Sequence, residues 1–177
     1  KLYEDGEIVQ QDYDKAIEWY KKSAEQGNSK STYRLGKLYE DGEIVQQDYD
    51  KAIEWYKQSI KQDNQEAAHR LGDLYEIKGD YEEAMKWYEK SRTKADPEFL
   101  YKIGEVCEKI NQFSSLSYYK RSANLGNIKA QMKLAFLYEK FGFSKLAFEV
   151  SKKLAEQGIS ETQMKLASVC GQKDKTK

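Results

Sequence analysis

The chain holds one histidine, His69, and two cysteines, Cys107 and Cys170. These are the side chains best suited to proton transfer, nucleophilic attack or metal ligation near neutral pH. A zinc site needs three or four nitrogen, sulfur or oxygen ligands, and a nucleophile needs a base within hydrogen-bond reach. A lone histidine is a poor basis for either. No catalytic residue, no metal site and no cofactor is expected. His69 reads as a helix residue on one face, and the cysteines read as small buried hydrophobes. Asp5-Gly6 and Asp41-Gly42 are turn residues rather than a phosphate loop, and the many carboxylates read as solvated.

The gross numbers narrow the class further. The 177 residues carry 30 basic and 30 acidic side chains, for a formal charge of +0. With no basic block in view, a nucleic-acid partner is not expected. No apolar run reaches the length of a membrane span, and KLYEDGE at the start lacks the apolar core of a signal peptide. Mean hydropathy is −0.93, low for a deep globular core. Yet 13% of residues are aromatic, including 14 tyrosines, which argues against disorder. Thin cores shared between neighbouring units reconcile the two.

Repetition supplies those units. Lys1–Lys21 recurs residue for residue as Lys37–Lys57, an offset of 36. The later chain carries weaker copies of it. In the first copy Tyr13, Ala16, Ile17, Tyr20 and Ala24 make one apolar stripe at helical spacing, with Asp12 as cap and Gly27 as stop. The same logic predicts helices over 29–40, 48–62, 64–78, 80–93, 97–110, 113–125, 128–141, 143–157 and 160–170. Asp80 with Glu83, and Ser160 with Gln163, have the spacing of capping boxes.

Stacked, the units align in columns. One reads Leu35, Leu71, Ile103, Leu134, Leu166, followed by Gly36, Gly72, Gly104, Ala135, Ala167. Three residues on come Tyr39, Tyr75, Cys107, Tyr138 and Cys170. The return helix carries Ala16, Ala52, Ala84, Ser115, Ala147, then Tyr20, Tyr56, Tyr88, Tyr119, Ser151. Small residues allow close helix approach, and large ones fill the space between pairs. Trp19, Trp55 and Trp87 share a column on the return helix and are expected to pack between units.

These columns resemble the tetratricopeptide pattern, L-G-x-x-Y followed by A-x-x-x-Y. The first two units are similar to its Sel-1-like subclass, on the residues Leu35 onward and Ala16–Asn28. Gly36 to Ala52 spans 16 residues, whereas Gly72 to Ala84 spans 12, so the third unit has plain tetratricopeptide spacing. The resemblance implies an all-α fold, a right-handed superhelical α-solenoid of antiparallel helix pairs. Residues 1–171 would form one array of about five units, incomplete at both ends, and 172–177 a polar tail. Because the chain opens inside a unit, it reads as a piece of a longer protein. The cysteine pairs of some secreted relatives are missing, which leans towards a reducing, intracellular setting.

The resemblance also implies a scaffold or adaptor whose first helices line a concave groove. That groove would carry Tyr33, His69, Tyr101 and Met132 three residues before the small position. Lys37, Asp73, Glu105 and Phe136 come one after it, and Glu40, Glu76, Glu108 and Glu139 four after it. Aromatics and methionine favour protein contacts, and an acidic row attracts basic partners. The expected ligand is an extended protein segment with basic and apolar residues. A small hydrolase of the secreted Sel-1-like type and a spacer without a groove ligand are the rival functions. Self-association through the open ends is a further expectation, since solenoid ends need polar caps.

Overall fold

The computed structural model describes residues 12–91 and 96–158. The expected helix Ser160–Cys170, its capping box and Cys170 lie outside the described residues, as does most of the first repeat copy. Among the described residues there are nine helices and no strand. They are α1 (Tyr13–Glu25), α2 (Ser29–Asp41), α3 (Tyr49–Lys61), α4 (Glu66–Ile77), α5 (Tyr81–Lys90), α6 (Pro97–Ile110), α7 (Gln112–Asn124), α8 (Ile128–Lys140) and α9 (Ser144–Glu156). The fold class is the expected all-α solenoid of helix pairs. Two compact units are distinguished, Lys1–Thr93 and Lys94–Lys177.

Within the first unit α2 pairs with α3 and α4 with α5, while α1 packs on α2 and α3 on α4. Within the second, α6 pairs with α7 and α8 with α9, and α7 packs on α8. Two recurring hydrogen bonds fix the antiparallel pairing. At one end the backbone N–H that opens the return helix donates to the carbonyl of the tyrosine column. Asp48 donates to Tyr39 at 2.9 Å, Asp80 to Tyr75 at 2.9 Å, Asn111 to Cys107 at 2.8 Å and Phe143 to Tyr138 at 2.8 Å. The column can therefore change to cysteine, because the backbone makes the bond. At the other end, a serine hydroxyl late in the return helix donates to the first carbonyl of its partner. Ser59 donates to Ser29 at 2.8 Å, and Ser122 to Pro97 at 2.5 Å.

The glycine column is a packing device. The Tyr56, Tyr88 and Tyr119 rings lie on Gly36, Gly72 and Gly104, and all three tyrosines are fully buried. A Cβ on Gly36 would stand 2.7 Å from the Tyr56 ring, and one on Gly104 would stand 2.6 Å from that of Tyr119. Real carbon contacts do not come that close. The fourth pair escapes the constraint because Ser151 replaces the tyrosine, and there the glycine has become Ala135. The long α2–α3 connection is drawn back by Gln47, whose side-chain amide donates to the Glu40 carbonyl at 2.8 Å.

The expected caps Asp12 and Asp80 form, and five further side chains act in the same way. Asp12, Asn28, Asp48, Asp80, Asp96, Asn111 and Asn127 each accept from helix-opening N–H groups. Three details differ. Helix α4 starts at Glu66, although Asn64 still accepts from the Glu66 N–H at 3.1 Å. The box at Asp80 forms in one direction only: Asp80 accepts from Glu83 N–H at 3.1 Å, but the Asp80 N–H is already taken by Tyr75. The Glu83 carboxylate pairs with Lys86 instead. At Asn111 one residue both ends α6 and caps α7, so no turn residue intervenes. Cys107 is a buried thiol outside any disulfide. Trp87 packs on the core of the first unit, whereas Trp19 is 56% exposed, with Lys22 over its ring at 4.7 Å.

Candidate partner-binding face

Within each unit the first helices of the pairs carry the candidate residues at three recurring positions. The aromatic row leans on the buried tyrosines. Tyr33 meets Tyr56 with ring centroids 5.4 Å apart, His69 meets Tyr88 at 6.0 Å, and Tyr101 meets Tyr119 at 5.5 Å. All three are half-buried, so each presents an edge while its other side is packed. Burial pushes the Tyr33 and Tyr101 phenols above their ordinary range, with nearby carboxylates adding to the effect. Met132 is half-buried in the pair whose return helix has Ser151 in place of the tyrosine.

The glutamate row behaves differently. Glu40 is only 8% exposed, and it accepts the Tyr56 hydroxyl proton at 2.5 Å. Arg70 of the next pair grips the same carboxylate with two nitrogens, Nε at 3.1 Å. Glu76 accepts from the Tyr88 hydroxyl at 2.7 Å, as does Asp73 at 2.9 Å. Glu108 accepts from Tyr119 at 2.8 Å, from Gln112 at 3.1 Å and from Lys133 of the next pair at 3.0 Å. Burial alone would raise the Glu108 carboxyl, but those three donors outweigh it and hold it below its ordinary value. Burial first, and then the neighbouring carboxylates (Asp73 ahead of Glu76 at Tyr88), push the phenols of Tyr56, Tyr88 and Tyr119 far up, so they stay neutral donors. Glu139 has Ser151 where its predecessors have tyrosine, and it is exposed.

Glycine, tyrosine and glutamate thus act together: the ring lies on the glycine and its hydroxyl reaches the carboxylate one turn further on. A fourth column, overlooked among the sequence patterns above, completes the arrangement. The residue two before the small position is Arg34, Arg70, Lys102, Lys133 and Lys165, basic in every unit. Where described within a unit, Arg70 and Lys133 bind the glutamate of the preceding pair. A run of invariant charge sign along a helix column was the available signal.

Of the middle row, Glu105 is exposed, Phe136 is 53% exposed and Lys37 is half-buried. Asp73 is drawn into a network in which His69 Nε2 lies 3.5 Å away and Arg70 donates at 3.4 Å. A cavity of about 630 Å³ opens on this face in the first unit. Tyr33, His69 and Arg70 form its wall, with Ser29, Lys30 and residues 63–66 around them. Asp63 and Glu66 stand exposed there. Asp63 has φ of +69°, the left-handed region, at the turn position where Gly27 and Gly126 sit in the neighbouring copies. The second unit has a smaller hollow of about 370 Å³, between Glu105, Glu108, Lys109, Gln112 and Lys133. Among the described residues, no group of three or more histidine, cysteine or acidic side chains is placed to hold a metal. No described helix is long and apolar enough to cross a membrane.

Comparison with known proteins agrees with this architecture. The family model for the Sel1 repeat matches residues 1–28, 29–64 and 99–127, just over half of the chain. A tetratricopeptide repeat model matches 65–91, the unit with the shorter spacing. Among solved structures, a protective antigen from uropathogenic Escherichia coli with an SLR fold is 28% identical, with a TM-score of 0.65. The match covers 95% of this chain and 39% of that one, so the present chain spans about two fifths of that relative. A Sel1 repeat protein from Oxalobacter formigenes is also 28% identical, with a TM-score of 0.64 over 88% of this chain and 69% of that chain. YrrB, described as a tetratricopeptide repeat protein with an unusual peptide-binding site, shares the fold at 19% identity and a TM-score of 0.62. That match covers 81% of this chain and 77% of YrrB. A sequence search of curated proteins gives no match.

Proposed function

Because the chain belongs to the Sel1 repeat family, whose fold generally serves as a protein-interaction scaffold, we propose that its first-helix face binds an extended segment of a partner protein. The segment carries basic and apolar residues. The observation that carries this is the first-unit cavity, with Tyr33 and His69 in its wall and exposed Asp63 and Glu66 beside them. Half-packed rings offer apolar contact at little entropic cost, because their rotamers are already fixed by Tyr56 and Tyr88. With Arg70 already paired to Glu40, exposed Asp63 and Glu66 outnumber exposed Lys30 there and favour lysine or arginine in the ligand. YrrB shows that this fold can build a peptide site, although its likeness here extends to the fold alone. In the second unit, Tyr101, Glu105, Met132, Phe136 and Glu139 are proposed to form a face of the same kind, and Lys37 belongs to that of the first. Glu40, Glu76 and Glu108 contribute by holding the rings in place.

A peptide array probed with the intact chain tests this. Basic-apolar peptides are expected to bind, and Asp63→Lys with Glu66→Lys is expected to weaken that binding about tenfold, the effect of losing about 1.4 kcal/mol. Both positions are exposed, so the fold should survive. An unchanged binding profile would overturn the proposal.

A further inference from the structure

Overall neutrality hides a strong polarity. Residues 1–93 carry 15 basic and 21 acidic side chains, a net −6, whereas residues 94–177 carry 15 basic and 9 acidic, a net +6. The division between the compact units is therefore also a division of charge. Unlike-charged surfaces steer molecules together over roughly a Debye length, about 10 Å at 0.1 M salt.

The contrast is sharpest at the edge where each first helix turns into its return helix. In the first unit the turn segments 41–50 and 77–83 hold Asp41, Glu43, Asp48, Asp50, Asp80, Glu82 and Glu83 against one lysine, Lys78. In the second, segments 109–114 and 140–146 hold Lys109, Lys140 and Lys145 and no acid. In each unit a lysine at the end of a first helix reaches back to the preceding pair. Lys78 reaches the Asp50 carboxylate at 2.5 Å, whereas Lys140 reaches the neutral Gln112 amide at 2.8 Å. Around Lys140 the edge is apolar and aromatic. Phe113 and Phe141 meet edge to face at 5.5 Å, and Tyr138 and Phe143 at 6.1 Å. Exposure is 41% at Ile110, 59% at Phe113, 41% at Phe143 and 43% at Leu146. Cationic and aromatic side chains gathered with a single exposed acid, Glu139, at the margin are the composition of a contact surface.

We infer that this basic, aromatic edge of the second unit docks on the acidic edge of the first unit in a second copy of the chain. The occupant follows from complementarity of sign: the surface that fits is present in the same molecule, and it carries Ile77 exposed at 60% as an apolar contact. The contact is heterologous in its surfaces, so it closes as a dimer when made twice and otherwise extends into a chain of copies. Either form raises the mass in solution.

Sedimentation equilibrium from about 5 to 500 μM, at about 50 and 500 mM salt, tests this. Self-association is expected at low salt and about tenfold weaker at high salt, because exposed charges are screened. Lys140→Glu with Lys145→Glu should leave a monomer, and so should Asp50→Lys with Glu82→Lys. All four are surface positions. An equimolar mixture of the two charge-reversed variants should associate again, each supplying the edge the other lacks. Three results would overturn the inference: a wild-type monomer throughout, a mixture that stays monomeric, or binding to anionic vesicles by a chain that remains monomeric.

Discussion

Pairs α6–α7 and α8–α9 lie in one unit and share one backbone plan, yet they solve the same packing problem in different ways. In α6–α7 the Tyr119 ring covers Gly104 and its hydroxyl bonds Glu108 at 2.8 Å. In α8–α9 two members have changed together, to Ala135 and Ser151, and the third, Glu139, is retained but exposed. A glycine in mid-helix costs backbone entropy and is kept only where something needs the space. When the tyrosine goes, the reason for the glycine goes with it, and the carboxylate loses its donor. The glutamate column is therefore two kinds of residue: a packing partner where tyrosine is present, and a solvated charge where it is not.

The largest expected effect breaks the ring–glycine contact. Tyr119→Ser should cost about 3–5 kcal/mol by emptying a fully buried aromatic site, whereas Ser151→Ala should fall within about 0.5 kcal/mol. Gly104→Ala should cost about 1–3 kcal/mol by overpacking, despite the better helix propensity of alanine. Ala135→Gly, with no ring to accommodate, should cost only about 0.5–1 kcal/mol. Denaturant unfolding of the four variants measures this. If Gly104→Ala stabilised the chain, the packing account of the column would fail.

A smaller effect separates the two glutamates. Glu108→Ala should cost about 1–3 kcal/mol, because it strands the Tyr119 hydroxyl and the partly buried Lys133 ammonium. Glu139→Ala should be neutral within about 0.5 kcal/mol. The sign with pH follows from the carboxyl. Glu108 titrates below its ordinary 4.5 in the folded chain, so its contribution is present above that value and is lost as pH falls through the folded one. The stability gap between wild type and Glu108→Ala should accordingly narrow below about pH 4.5. A gap that widened in acid would contradict the assignment.

Much of the fold was legible because repetition turned weak local signals into columns. The helices, most caps and the glycine stops follow from short-range chemistry. The boundary at Glu66 and the one-way cap at Asp80 did not, since each depends on which backbone group already holds a hydrogen bond. That Tyr33, His69 and Tyr101 hold the same position on their first helices was readable. What the row rests on was not, because the tyrosines that support it come from another helix. The glutamates looked like a free acidic stripe, since a sequence shows charge but not the buried hydroxyl beside it. Their basic partners at Arg70 and Lys133 were visible as a column, and the charge split between 1–93 and 94–177 was visible by counting.

The first-unit face is the proposed seat of a partner segment. Hydrogen exchange of the intact chain, with and without a basic-apolar peptide chosen from the array, addresses it directly. The account predicts slowed exchange at the start of α2 and across residues 63–70, around Tyr33 and His69. Protection confined to α8 and α9, with those residues unchanged, would contradict it.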